Sequence, residues 1–452
     1  MRHRHLLVGI ATFGLVALGA AGCGSSGGSA SGSKVVTVAY EDYGGDNQVG
    51  ELMNKITPTF EKDHPGWKVQ LEPIAAPEND YYTKLDLMNK SASTQPDVLY
   101  EDTFLINSDT DAGYLAPLDS YVNSWSDWSD FYSAAKTAVT ATNGKVYGVP
   151  METDARGLWY NKTLFAKAGL PVPWHPTTWA QVLSAAQTIK KKLPGVTPLQ
   201  VYSGTPAGEA TSMQGFEMLL YGTGETLYNH SDNKWVAPGS GFTSALNFIK
   251  TVYSTGLGPT PEQELNPNIG NIVSQQWLPE GKLAIDLDGS WLPSTWITGG
   301  PHPWPQWSTT MGWTSMPTED GQGSDITTLS GGWALSIGTH AANKQMAWDL
   351  ISLALNTQNA TYYTEISGNL AVRTDVAAQP SYLKEQADIP FWSGLIKYTN
   401  FRPAYAVYPD LSNDIQQATE EVMTGQQSPA QAAANYDHSL TSTVGGSAVQ
   451  GG

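Results

Sequence analysis

The sequence predicts an α/β protein of two lobes with a cleft between them, and three observations carry this. Strand and helix signals alternate along the chain. The 452 residues correspond to roughly two or three ordinary domains. No fixed-period repeat breaks the pattern into a solenoid. Taken in order, Val35 to Tyr40 is β-branched and bounded by turn residues, a first strand. From Gln48 to His64, Leu52, Ile56 and Phe60 recur every four residues, one face of a helix that Pro65-Gly66 stops. Trp67 to Ile74 reads as a second strand, Tyr81 to Ser91 as a helix and Pro96 to Tyr100 as a third strand, so parallel βαβ units are expected. Helices are predicted near Leu164 to Ala168, Trp179 to Lys192 and Thr211 to Tyr221, with a strand near Pro198 to Tyr202. Strands at Lys282 to Leu287 and Trp333 to Ile337 and an amphipathic helix from Asn343 to Leu355 follow. In open sheets of this kind a ligand settles outside the carboxyl ends of the strands.

Composition narrows the function. Charged residues are 15% and hydrophobic residues 40%, a globular balance rather than that of a disordered or polytopic membrane chain. Lys plus Arg number 24 against 42 Asp plus Glu, a net charge of -18. Such a surface repels phosphate backbones, so no nucleic-acid partner is expected. The 16 Trp and 21 Tyr offer flat rings that suit stacking on sugars, although most must serve as core.

The first 22 residues have a basic start, an apolar run from Leu6 to Leu18 and then small residues, the pattern of a secretory signal peptide. Cys23 is the single cysteine, so an internal disulfide is excluded. Ala20-Ala21-Gly22-Cys23 resembles a lipoprotein processing site, with Ala20 where Leu is usual. Acyl chains on Cys23 would tether the protein to the outer face of the cell membrane without a spanning helix. The Gly/Ser stretch from Gly24 to Ser33 then serves as a flexible spacer.

Catalytic signatures are absent. The chain has no G-x-S-x-G, HExxH, CxxC, phosphate-binding loop or G-x-G-x-x-G. Its histidines are scattered, and Asp109-Thr110-Asp111 and Asp286-Leu287-Asp288 lack the twelve-residue calcium loop, so neither metal nor cofactor is expected. Glu101 and Asp102 are adjacent on a strand and point to opposite faces, so they cannot together form a glycosidase pair.

Several segments in order resemble one family. They are Gln95 to Leu99 with Asp102; Ala112 to Leu118; Val146 to Pro150 with Asp154 and Leu158 to Lys162; Pro176 to Trp179; Gly281 to Ala284 with Gly289-Ser290-Trp291; Gly331 to Ile337; and Phe401-Arg402-Pro403. Together they resemble the extracellular solute-binding proteins of ABC importers, in the sugar-binding family related to maltose- and trehalose-binding proteins. The resemblance implies a two-lobed periplasmic-binding-protein fold of type II, with discontinuous lobes, a hinge and an interlobe cleft. It divides the chain into lobe one at 34–147 and 312–366, lobe two at 148–311 and 367–440, and a disordered tail at 441–452. Crossing strands are expected near Tyr147 and from Met311 to Met316.

The same resemblance implies a monomer that is not an enzyme, holds a saccharide and hands it to permease subunits. It places Tyr43, Asp46 and Asp102 in the cleft from lobe one, Asp154, Glu209 and Trp291 from lobe two, Trp333 after its Gly-Gly turn, and Arg402 and Tyr405 from a C-terminal segment. These residue types suit a neutral sugar, because an aromatic ring covers its CH face while carboxylates accept from its hydroxyls in charge-assisted hydrogen bonds. Structural readings stand beside the functional ones: Trp291 and Trp333 as core, Asp102 and Asp154 as caps or turn acids, Glu209 as a first-turn acid, Arg402 as half of an ion pair. The leaning towards an α-linked glucose disaccharide or short oligosaccharide rests on the segment from Phe401 to Asp410. A secreted glycosidase or lyase and a surface sugar sensor remain the alternatives. The Pro-Trp run from His302 to Trp307 reads as a lid or surface loop.

Overall fold

The structure is a computed structural model, described over residues 34–42, 47–385 and 387–452. The leader, Cys23, the spacer, Tyr43 and Asp46 lie outside the described residues. β1 (Val35–Glu41), α1 (Gln48–Asp63), β2 (Lys68–Ile74), α2 (Glu78–Asn89) and β3 (Val98–Asp102) follow the predicted alternation. β1 lies between β2 and β3 and runs parallel to both, as helical crossovers require. After β4 (Gly148–Pro150) the chain passes to a second sheet through β5 (Arg156–Asn161), α3 (Lys162–Ala168), α4 (Trp179–Lys192) and β6 (Thr197–Gln200). A π-helical stretch, Thr211–Glu217, precedes the hairpin of β7 (Tyr228–Asn229) and β8 (Lys234–Val236), then α5 (Ser240–Ser254) and a second π-helical stretch, Val273–Trp277. β9 (Leu283–Gly289) and β10 (Met311–Thr314) complete the second sheet in the order β10-β5-β9-β6.

The return begins at β11 (Thr328–Ser330), followed by β12 (Trp333–Ile337), α6 (Lys344–Ala354) and α7 (Thr357–Ser367). β12 inserts between β3 and β4, antiparallel to both, and gives the first sheet the order β2-β1-β3-β12-β4. β13 (Thr399–Phe401) pairs with β11, and α8 (Tyr408–Met423) and α9 (Pro429–Val444) pack against α5 in the second lobe. β14 (Val449–Gln450) adds to β8.

Each sheet is cemented by the helix faces that the periodicity marks. Leu52, Ile56 and Phe60 of α1 are buried against Val36, Val38, Leu335 and Ile337 in the first lobe. Val182, Ala186 and Ile189 of α4 and Leu246 and Ile249 of α5 are buried against Leu199, Ile285 and Leu287 in the second. Full burial of each large aliphatic or aromatic side chain contributes about 1.5–3 kcal/mol.

Three expectations are corrected. The lobe boundaries fall elsewhere: Gly148–Pro150 belongs to the first sheet and Met311–Thr314 to the second, so the chain crosses at residues 151–155 and again between Thr314 and Trp333. Gly148 makes the first pairing possible, because a Cβ there would stand 3.0 Å from the Ala334 methyl. Residues 441–452 are ordered rather than disordered, since α9 runs to Val444 and Val449–Gln450 pairs with Trp235–Val236. In the Pro-Trp run, His302, Pro303, Pro305 and Gln306 are exposed, but Trp307 is buried against Trp159, Trp296 and Trp313. Those rings bury more apolar area inward than a surface loop could retain.

The core also holds carboxyls that burial makes harder to ionise. Burial pushes Glu217 up to about 8, and Glu264 and Asp388 to about 7. Glu101 is raised well above the carboxylate range by burial, then by the charge of Asp109. Glu217, Glu264 and Asp388 bind a proton more tightly folded than unfolded, so their stabilisation is complete below the ordinary carboxylate range and is lost as pH rises through 7 to 8. The melting temperature is therefore expected to fall steadily from pH 5 to 8.5 in a calorimetric series, and Glu217→Gln to flatten the alkaline part. A profile level across this range would show that these carboxyls ionise without cost.

Candidate ligand-binding cleft

A cleft of about 630 Å³ lies between the two sheets, within the size range of small-molecule sites. Of the residues expected from sequence, Asp102, Asp154, Glu209, Trp291, Trp333 and Arg402 all line it. Tyr405 does not. Its ring packs at 4.3 Å on Tyr228 and at 5.9 Å on Trp235, against the β7–β8 hairpin.

Asp102 ends β3 and caps the turn Thr103–Leu105, accepting from the Phe104 amide at 3.3 Å. Its carboxylate also accepts from the Tyr82 hydroxyl at 2.8 Å and from Arg402 Nη2 at 2.7 Å. Arg402 Nη1 donates to Glu209 Oε2 at 2.8 Å, and the guanidinium lies 4.0 Å from the centre of the Phe104 ring. Burial works against that charge, but Asp102 and Glu209 outweigh it and hold Arg402 ionised. Asp102 is thus both the cap and a cleft group, and Arg402 is indeed half of an ion pair, with two acids at once.

Asp154 lies on the first crossing and pairs with Arg156, the first residue of β5. It also accepts from the Gly331 amide at 3.1 Å. Burial raises its pKa, while Arg156 draws it back. Arg156 donates from Nε to Gln214 at 2.9 Å and lies over the Trp291 ring at 4.8 Å. Gly289 leaves room for that ring, since a Cβ there would stand 1.9 Å from it. Trp333 stacks on Tyr100 at 4.3 Å and 9°, with Tyr82 stacked at 5.9 Å. Trp333 thus packs against Tyr100 and Tyr82, and Trp291 carries Arg156 over its ring, so each indole already meets protein while staying half-buried at the cleft.

Sequence reasoning missed Glu78, Tyr100, Glu152 and Asp288 as lining residues. Tyr100 was legible, for it shares the strand face of Asp102 two residues on. Glu78 carried no signal, because only the fold brings the start of α2 to Asp102 and Glu209. Burial, then those two acids, push its carboxyl up to about 7. Burial likewise raises Glu152 to about 7 and Asp288 to about 6. Both π-helical stretches supply lining residues, Met213 and Gln214 from one and Ser274 from the other, a common use of this irregular helix. Among the described residues, no three His, Cys, Asp or Glu side chains are grouped to hold a metal, and no helix is long and apolar enough to cross a membrane. What remains is a groove of acids, amides and two half-buried indoles, suited to accepting hydroxyl protons and lying against an apolar ring face.

Two α/β lobes closing on a polar, aromatic-floored cleft define a solute-binding protein of the hinged type. The profile of the bacterial extracellular solute-binding protein family matches residues 44–361, and the chain belongs to that family. It is 24% identical over 432 residues to the galactooligosaccharide-binding protein of Bacillus subtilis, covering 92% of each chain. It is 28% identical over 214 residues to a maltooligosaccharide ABC transporter solute-binding lipoprotein of Streptococcus pneumoniae, covering 46% of this chain and 45% of that one. The crystal structure of the GacH receptor of Streptomyces glaucescens, solved unliganded and with acarbose, superposes with a TM-score of 0.77 over 91% of this chain and 98% of the other, at 23% identity.

The Gly289 contact is testable. Gly289→Ala is expected to push the Trp291 ring off Arg156 and to destabilise the fold by about 1–3 kcal/mol through overpacking. Near-UV circular dichroism and thermal melting read both effects, and an unchanged spectrum would contradict the assigned ring position.

Proposed function

We propose that this chain is a membrane-tethered extracellular binding protein that captures a saccharide and delivers it to an ABC importer. The observation that carries this is the meeting, in one cleft, of the Trp291 ring with carboxylates from both lobes, Asp102 and Glu152 on one side and Asp154, Glu209 and Asp288 on the other. A sugar presents an apolar face and a rim of hydroxyls, and this lining offers a partner to each. Both cleft cations, Arg156 and Arg402, are already matched by acids, which disfavours an anionic ligand. The ligands named for the relatives, galactooligosaccharides, maltooligosaccharides and acarbose, support an oligosaccharide, and the last two support an α-linked glucose disaccharide or short oligosaccharide. The tether is Cys23, lipidated after removal of the first 22 residues, and the protein works as a monomer with no catalytic role.

A thermal-shift panel of mono-, di- and oligosaccharides tests the reading. A true ligand at a hundred times its Kd adds about 2.7 kcal/mol of stability. Trp291→Ala is expected to weaken binding of that ligand by roughly ten- to a hundredfold. A panel in which no saccharide raises the melting point overturns the proposal, and release of shortened products from an oligosaccharide points to a hydrolase instead. For the tether, metabolic labelling with a fatty acid is expected to mark the membrane-bound protein and to fail in Cys23→Ala, which should appear in the medium. Equal membrane retention of both forms would exclude lipidation at Cys23.

A further inference from the structure

The contacts of Arg402 exceed what a ligand-binding arginine needs. Its side chain is buried, and its two terminal nitrogens are divided between carboxylates of different lobes, Asp102 at 2.7 Å and Glu209 at 2.8 Å. The pairing continues in both directions. Tyr82 of α2 donates to Asp102, and Ser412 of α8 donates to Glu209. A single hydrogen-bonded line thus runs from a helix of the first lobe, through the guanidinium, to a helix of the second. Apolar groups shield it: the Phe104 ring lies under the guanidinium and meets Tyr408 edge-on at 5.7 Å. The lobes touch nearby as well, where the Asn107 amide donates to the Ala404 carbonyl and Gly208 faces Asn79 closely enough that a Cβ would stand 2.7 Å from it.

We propose that Arg402 is an interlobe clasp, a positioning residue that couples closure of the two lobes to neutralisation of Asp102 and Glu209. In the closed arrangement the two acids lie out of water and share one cation. With the cation removed they are uncompensated charges, and opening the cleft lets water solvate them. A neutral side chain at 402 therefore shifts the lobe equilibrium towards the open form, and the apparent Kd for any cleft ligand rises by the fraction of closed protein lost. Lysine, a single point charge, cannot present the planar fork that serves both carboxylates at once. The clasp depends on the two-lobed fold alone and holds whatever the ligand's chemistry.

The test uses the unliganded full chain carrying Cys23→Ser, with spin labels on cysteines introduced at Leu87 and Val172, exposed positions of the first and second lobe. Pulsed dipolar spectroscopy reads the interlobe distance distribution. Arg402→Gln is expected to lower the closed-to-open ratio about tenfold, with Arg402→Lys in between and near-UV circular dichroism unchanged. The same distribution in Arg402→Gln as in the parent overturns the clasp. Should Arg402→Gln not fold, Glu209→Gln removes one arm while keeping the side-chain volume, and an unshifted distribution there overturns the proposal equally. None of these outcomes depends on whether saccharides bind.

Discussion

A carboxylate withdrawn from water must be given donors or a counter-charge, and in this protein that requirement ties together residues far apart in the chain. Asp102 and Arg402 are separated by 300 positions and Glu209 and Arg402 by 193, yet each pair is a direct hydrogen bond. Arg156 does the same for Asp154 over two residues, while holding Gln214 and lying over Trp291. The cleft is organised around these two guanidinium groups. They allow a dense set of acids to coexist in a partly desolvated space, with oxygen lone pairs left to meet a ligand. Acids that neither guanidinium bonds, Glu78 and Glu152 among them, are pushed up by burial instead and hold their protons more tightly.

The topology decides which residues can meet there. Asp102 ends β3 and Trp333 begins β12 directly opposite it, so one register pair delivers both to the same rim. Arg156 begins β5 beside Gly289 at the end of β9, which brings Trp291 under the guanidinium. Short crossings keep the lobes in contact at their strand ends, where an open α/β sheet accepts its ligand. Glycines at 148, 289 and 331 make room where a side chain would collide with a neighbouring strand, a ring or the Asp154 carboxylate.

Much of the fold was legible because it is local. The four-residue spacing of Leu52, Ile56 and Phe60 and the β-branched run at Val35 specify their elements whatever the rest of the chain does. Five of the cleft-lining residues, Asp102, Asp154, Trp291, Trp333 and Arg402, belong to the segments that resemble a family, and Glu209 was carried over by the same resemblance. The failures are non-local. Tyr405 follows Arg402 by three residues and still lies outside the cleft, since the turn that begins at Tyr405 and the waiting surface of Tyr228 and Trp235 decide its direction. Glu78 enters the cleft only because α2 packs beside β3, and the tail is ordered only because β8 offers a free edge. Trp333 lines the cleft, but its stacking partners, Tyr82 and Tyr100, could not be chosen from spacing alone.

The insertion of β12 between β3 and β4 has a consequence for biogenesis. A chain delivered amino-terminus first presents β1 to β4 long before residue 337 of 452 arrives to fill the gap. Until then β3 and β4 each show a row of unsatisfied backbone groups, the template on which strands of other molecules add. The first lobe cannot finish folding while this interior strand is still behind, so long-range closure sets the pace and late assembly is built into the wiring of the sheet.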